Sequence, residues 1–195
     1  MTVSKGAVRR IRTPLDDDMV RALKAGDEVR ISGIVYAARD AVHARLLDLI
    51  RDGKPLPFDL CGAVIYYVGP TPSIAGMVCG SAGPTTSSRM DGATPALLNL
   101  GLKGMIGKGF RSEDVIESMK RNTAVYFAAT GGAGALLAKH IRSLDVVAWP
   151  ELGPESLKLL EVEDFPAIVA VDCRGRDLYR EGPARYRRDE RAPGK

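Results

Sequence analysis

Between residues 63 and 149, apolar runs of strand length are separated by segments of helical spacing. This order constrains the fold more than any other feature, because a helix between two strands lets those strands pair in parallel through a crossover. Residues 63–68, 104–107, 124–129 and 145–149 read as strands, with a further apolar stretch at 74–79. Residues 112–121 and 135–141 read as helices, and Thr94-Pro95 opens a short one that ends near Gly101. Upstream, 15–25 is predicted as a short helix with Asp16, Asp17 and Asp18 at its start, where the helix dipole favours acids. Residues 28–35 alternate polar and apolar as a half-buried strand does. After Arg39-Asp40 the apolar residues recur at helical spacing until Asp52-Gly53 and two prolines. Near the end, 157–162 and 167–172 read as two strands with Asp164-Phe165-Pro166 between them. Neither an internal repeat nor a low-complexity linker divides the chain. The expected architecture is α/β, a single mixed-sheet domain at 14–181, with a basic segment at 1–13 before it and a basic tail at 182–195 after it.

The chain's 195 residues are enough for one domain with a real core, and 45% hydrophobic with 27% charged content excludes a disordered chain. The apolar runs are too short to span a bilayer, and MTVSKGAVRRIRTPLDDD contains no apolar segment of a secretory signal. A cytoplasmic location is expected. Cys61, Cys79 and Cys173 are scattered, odd in number and without a CxxC pair, which suits a reducing compartment. A metal or iron–sulfur centre is therefore not expected in this chain. The net charge of +4 comes largely from the two ends, and the interior lacks the interleaved basic and aromatic residues of a nucleic-acid surface. Small anions are the better-matched partners.

Several motifs bear on which anion. In the run from Gly101 to Gly109, five residues separate Gly101 from Gly107 and a glycine follows Lys108, so both the spacing and the magnesium ligand of a P-loop are missing. What remains is a lysine on a glycine-flanked strand end, suited to point-charge contact with an anion. Gly131-Gly132-Ala133-Gly134 lacks the full dinucleotide-binding spacing and more simply lets a helix begin close to a sheet. Arg39 and His43 lie four apart at a predicted helix start, which would put them on one face, with Asp40 near the N-cap. The stretch GPTTSSRM (83–90) holds four hydroxyls closed by an arginine. One cap needs one hydroxyl, so the run either caps a helix with residues to spare or presents hydroxyls and a cation to a ligand. Arg39, Arg89 and Lys108 together suit a small polycarboxylate.

Three segments, VYAARDAVH (35–43), GPTTSSRMD (83–91) and LLNLGLKGMIGKG (97–109), resemble the β subunit of class I fumarate hydratases, the counterpart of the C-terminal domain of single-chain iron–sulfur fumarases. The likeness runs in order from about 14 to 181, through AVYFAATGGAGAL (124–136) and EDFPAIVAVD (163–172). The related L-tartrate dehydratase β subunit shares the RD…H and GPTTS-x-RM patterns. The resemblance implies a swivelling β/β/α domain and a separate α subunit that holds a [4Fe-4S] cluster on three cysteines. It also implies that Arg39, Arg89 and Lys108, with Thr86 beside them, bind substrate carboxylates and that Thr85 moves the proton. His43 is the alternative proton-transfer residue, since its resting pKa suits the task. Reversible hydration of fumarate to L-malate is the expected activity, with tartrate dehydration and a non-catalytic assembly role as the rivals. A homodimer is one form open to the isolated chain.

Overall fold

Strands β2 (Glu28–Ala37), β3 (Val64–Tyr66), β4 (Gly104–Gly107) and β5 (Val125–Ala128) lie side by side and parallel, as the crossover pattern predicts. The structure, a computed structural model, describes residues 7–74 and 76–187. A long strand, β7 (Leu157–Val171), runs antiparallel to both β2 and β5 and so closes these five strands into a ring. Strand β1 (Arg9–Arg12) extends the sheet parallel to β2, and β6 (Ile141–Ala148) extends it antiparallel to β7. The result is the single mixed-sheet α/β domain that the sequence implies. Among the described residues, no helix is long and apolar enough to cross a membrane.

Alternating side chains feed two cores. Val64, Tyr66, Ile106 and Phe127 join one cluster with Val35, Leu160 and Phe165. Ile65, Tyr67, Met105 and Tyr126 join the other, against Val42 and Leu46 of α2 (Asp40–Arg51), Leu97 of α3 (Thr94–Asn99) and Met119 of α4 (Glu113–Asn122). Burial on both faces is why β3, β4 and β5 read as unbroken apolar runs rather than as alternating ones. Helix starts follow local chemistry. Asp16 accepts the Met19 N–H at 2.7 Å to begin α1 (Asp17–Ala22), and Ser112 accepts from Val115 to begin α4.

Three sequence expectations change. The two strands expected at 157–162 and 167–172 are one strand of fifteen residues. Asp164 takes a positive φ of 49° inside it, and Ser32 Oγ accepts its N–H at 3.0 Å, so the kink keeps its hydrogen bond. The basic segment assigned to 1–13 contributes β1, while residues 1–6 lie outside the described part. In the region assigned to the tail and just before it, Leu178–Tyr186 forms α6 after the short α5 (Gly134–Ala138), and residues 188–195 lie outside the described part.

A buried cation ties these elements together. Arg111, 3% exposed, precedes α4 and donates to Tyr67 Oη at 3.0 Å and Thr94 Oγ1 at 2.7 Å. Its Nε lies 2.8 Å from Asp91 Oδ1 as an ion pair without hydrogen-bond alignment, and its guanidinium stacks 5.3 Å from the rings of both Tyr67 and Tyr126. The other Asp91 oxygen accepts the Ser112 N–H at 2.7 Å. Removing one partner of a buried ion pair leaves the other charge uncompensated. Arg111→Met is therefore expected to lower stability by about 3 kcal/mol. Urea midpoints of the two proteins measure this, and a loss below about 1 kcal/mol would show that the pair is not what holds this region.

Candidate active site

The predicted site residues gather where the parallel strands end. Arg39 follows β2, Gly69 lies beyond β3, Lys108 follows β4, and Gly131 lies beyond β5. Carboxyl ends of parallel strands are where loops can converge without breaking the sheet, and ligands of α/β sheets collect there. The GPTTSSRM segment crosses this rim as backbone. Thr85 donates its N–H to Tyr67 O at 2.7 Å and accepts from Lys108 N at 3.2 Å, and Ser87 N donates to Lys108 O at 2.9 Å. Thr86 and Lys108 thereby form a parallel bridge that prolongs β4 by one pairing.

That close approach depends on Gly107. A Cβ built there would lie 2.0 Å from Ser87 Oγ and 2.9 Å from Tyr67 Cδ2, so any side chain would push the loop off the strand. The Ser87 hydroxyl is buried 2.8 Å from Tyr126 Oη, which itself donates to Gly109 O at 3.0 Å. Tyr179 of α6 accepts the Gly109 N–H at 3.1 Å and packs on Phe110 with ring centroids 5.0 Å apart. One hydroxyl of the four is thus structural. Thr86 occupies the N-cap of the 3-10 turn Ser87–Met90 but makes no capping bond. Among the described residues the Thr85 hydroxyl has no hydrogen-bond partner, and the Lys108 ammonium has neither a hydrogen bond nor an ion pair. The Lys108 side chain lies along Gly131.

The two arginines meet over one carboxylate. Arg89 Nε donates to Asp40 Oδ1 at 2.8 Å, and Arg39 Nη2 lies 3.8 Å from Asp40 Oδ2 and 3.1 Å from Glu155 Oε1. Glu155 comes from the 3-10 segment Pro150–Glu155, and the Arg39 guanidinium lies against Gly69, where a Cβ would sit 3.1 Å from Nη1. Arg39 does not share a helix face with His43. It is the N-cap of α2 in extended conformation, and Asp40 is the first helical residue.

His43 is 2% exposed, and its Nδ1 lies 2.8 Å from the Arg39 carbonyl. A carbonyl can only accept, so Nδ1 carries the proton and Nε2 keeps a lone pair, which has no hydrogen-bond partner. Burial pushes its pKa down to about 4, a shift opposed by the bond to Arg39 O and helped by the charge of Arg111. The ring is neutral at physiological pH and stands edge-on to Tyr67, 5.3 Å between centroids. Glu155, Tyr67 and Arg111 were not singled out from the sequence, because each reaches the site across more than twenty residues of chain or from a segment without a motif.

The His43 shift has a measurable consequence. The folded state disfavours the protonated ring, so the stability from keeping it neutral is complete above the unfolded value near 6.5 and is lost as pH falls toward about 4. Between pH 7 and 5 unfolding free energy is expected to fall with a slope of up to about 1.4 kcal/mol per pH unit from this group. His43→Phe should flatten that slope in urea titrations, and an unchanged slope would assign the effect elsewhere.

Comparison with known proteins identifies the family. The family model described as the fumarase C-terminus matches residues 4–182. The chain is 38% identical over 168 residues to the putative L(+)-tartrate dehydratase subunit beta of Methanocaldococcus jannaschii, covering 83% of this chain and 86% of that one. It is 36% identical over 173 residues to fumarate hydratase 2 of Leishmania major, covering 87% of this chain and 30% of the relative. It is 40% identical over 153 residues to the anaerobic class I fumarate hydratase of Escherichia coli, covering 77% of this chain and 28% of the relative. The chain thus spans under a third of the length of these two fumarate hydratases. With the match running over nearly its whole length, the chain belongs to the fumarase C-terminus family.

Proposed function

We propose that this chain is the β subunit of a hydro-lyase that reversibly hydrates fumarate to L-malate. The observation that carries this reading is the convergence at one strand-end rim of Arg39, Arg89 and Lys108 with a Thr85 hydroxyl that bonds nothing among the described residues. Arg39, Arg89 and Lys108 bind the two substrate carboxylates, with the exposed Thr86 at the edge of the same loop. In the dehydration direction Thr85 Oγ1 takes the proton from the carbon next to a carboxylate, the C=C bond forms as the C–O bond breaks, the departing hydroxide takes a proton from solvent to become water, and Thr85 returns its own proton to solvent. An ordinary alcohol is too weak an acid to serve as an anionic base at neutral pH, so the neighbouring cations must favour its deprotonated form and the charge growing on the substrate carboxylate. His43, neutral and buried, supports the backbone at Arg39 rather than exchanging protons.

The residues of this chain do not fit an iron–sulfur cluster. Cys61 is exposed, Cys79 buried and Cys173 half-buried on separate segments, and among the described residues no group of three or more His, Cys, Asp or Glu could hold a metal ion. The resemblance to the iron–sulfur fumarases implies a [4Fe-4S] cluster on an α subunit, and we propose that it would there supply Lewis-acid activation of the substrate hydroxyl. We place the complex in the cytoplasm, whose reducing conditions suit three free cysteines.

A second reading has its own support. The tartrate dehydratase subunit is matched over 86% of its length, so L-tartrate dehydration by the same division of labour is the alternative. The assembled complex, assayed with fumarate, L-malate and L-tartrate, should show the highest kcat/KM on the fumarate–malate pair, and a preference for L-tartrate would select the alternative. The chain without its partner should be inactive on all three. In the complex, Thr85→Ala is expected to lower kcat about a hundredfold or more. Arg89→Ala should raise KM about tenfold or more. Near-normal turnover in both variants, with assembly intact, would leave the chain an assembly subunit only.

A further inference from the structure

Asp40 belongs to none of the roles above, yet it touches both arginines. Arg89 reaches it from the 3-10 turn and Arg39 is its neighbour in sequence, so one carboxylate joins two cations that lie 50 positions apart. Its place is fixed by the fold. Asp40 is the first residue of α2, where the helix dipole favours an acid, and its Oδ2 is buried without a hydrogen-bond partner. The way it holds Arg89 matters more than the charge it brings. A guanidinium has five N–H donors, and Asp40 takes the one on Nε at 2.8 Å. Among the described residues, the two terminal nitrogens of Arg89 bond nothing. They are the fork that grips a carboxylate with two parallel hydrogen bonds. The Arg89 side chain is 52% exposed, so without a tether it would sample many rotamers in water.

We propose that Asp40 is a positioning residue for substrate binding: it fixes the Nε edge of Arg89 beside Arg39 and leaves the terminal fork of Arg89 turned to the substrate carboxylate. The inference rests on reading Arg89 as a carboxylate clamp. It makes a prediction opposite in sign to simple charge counting. Removing a negative charge from a site for a dianion should tighten binding if only long-range attraction mattered. Loss of a tether should weaken it.

The test uses the assembled complex and the full chain. Asp40→Asn keeps the side-chain shape and is expected to raise KM for L-malate about tenfold while kcat changes much less. In an Arg89→Ala background the same substitution should have no further effect on KM. Nitrogen-15 NMR of the full chain should show an Arg89 Nε–H resonance protected from exchange, and Asp40→Ala, which leaves no acceptor there, should remove that protection. Asp40→Ser, which retains a good helix start, serves as a second variant and should move KM in the same direction. An unchanged or lowered KM in both variants overturns the proposal, as does an equal effect of Asp40→Asn with and without Arg89. If Arg89→Ala itself leaves KM unaltered, the clamp reading and the positioning role fall together. If Arg89→Ala raises KM and Asp40→Asn does not, only the positioning role falls.

Discussion

A cation sealed in a protein interior has to be matched on every side, and the groups that match Arg111 come from the elements that build the candidate site. Asp91 ends the GPTTSSRM loop, Thr94 opens α3, and Tyr67 follows β3 and gives its carbonyl to Thr85. Tyr126, whose ring flanks the guanidinium, reaches from β5 to Ser87 and Gly109. The loop that carries Thr85 and Arg89 is therefore fastened to the sheet at both of its ends. Its backbone pairs with β4 at one end, and its aspartate pairs with a dry guanidinium at the other.

Arg111 and Arg89 carry the same side chain and do opposite work. The first is enclosed, with its terminal nitrogens bonded to Tyr67 and Thr94, its Nε against Asp91 and its faces on two aromatic rings. The second is half in water, with one donor engaged and the rest free. Among the described residues, Arg111 is ringed by partners, whereas the terminal nitrogens of Arg89 have none. Lys108 and Lys158 divide in the same way. Lys158 is 6% exposed and gives its protons to the carbonyls of Gly153 and Pro154 and to Ser156, whereas the Lys108 ammonium is exposed at the rim.

Much of the fold was legible because its central strands are buried on both faces. Residues 104–107 and 124–129 stand out as apolar runs, and the helices between them carry caps such as Ser112. Asp164-Phe165-Pro166 reads in sequence as a break between two strands, because aspartate and proline disfavour a strand interior. The ten-residue partner β2 overrides that preference and holds the chain extended through the kink. Helix α6 was hidden by Pro183 and by a run of charge. For the site, motif matching named the cations and Thr85, but the relation between Arg39 and His43 was misplaced by one residue of helix boundary. Periodicity cannot tell a cap from a first turn. The contacts that organise the site, Arg89 to Asp40 and Arg111 to Asp91, join residues 49 and 20 positions apart, and no local pattern announces them.

Helix α6 has a consequence for how this protein can be handled. Tyr179 holds the Gly109 amide and the Phe110 ring, so the carboxyl-terminal stretch serves as a strut for the loop that ends in Lys108. Trimming the chain before that tyrosine, or fusing a bulky tag close behind it, is expected to disturb the loop at Gly109, seventy positions upstream. An affinity handle belongs at the other end.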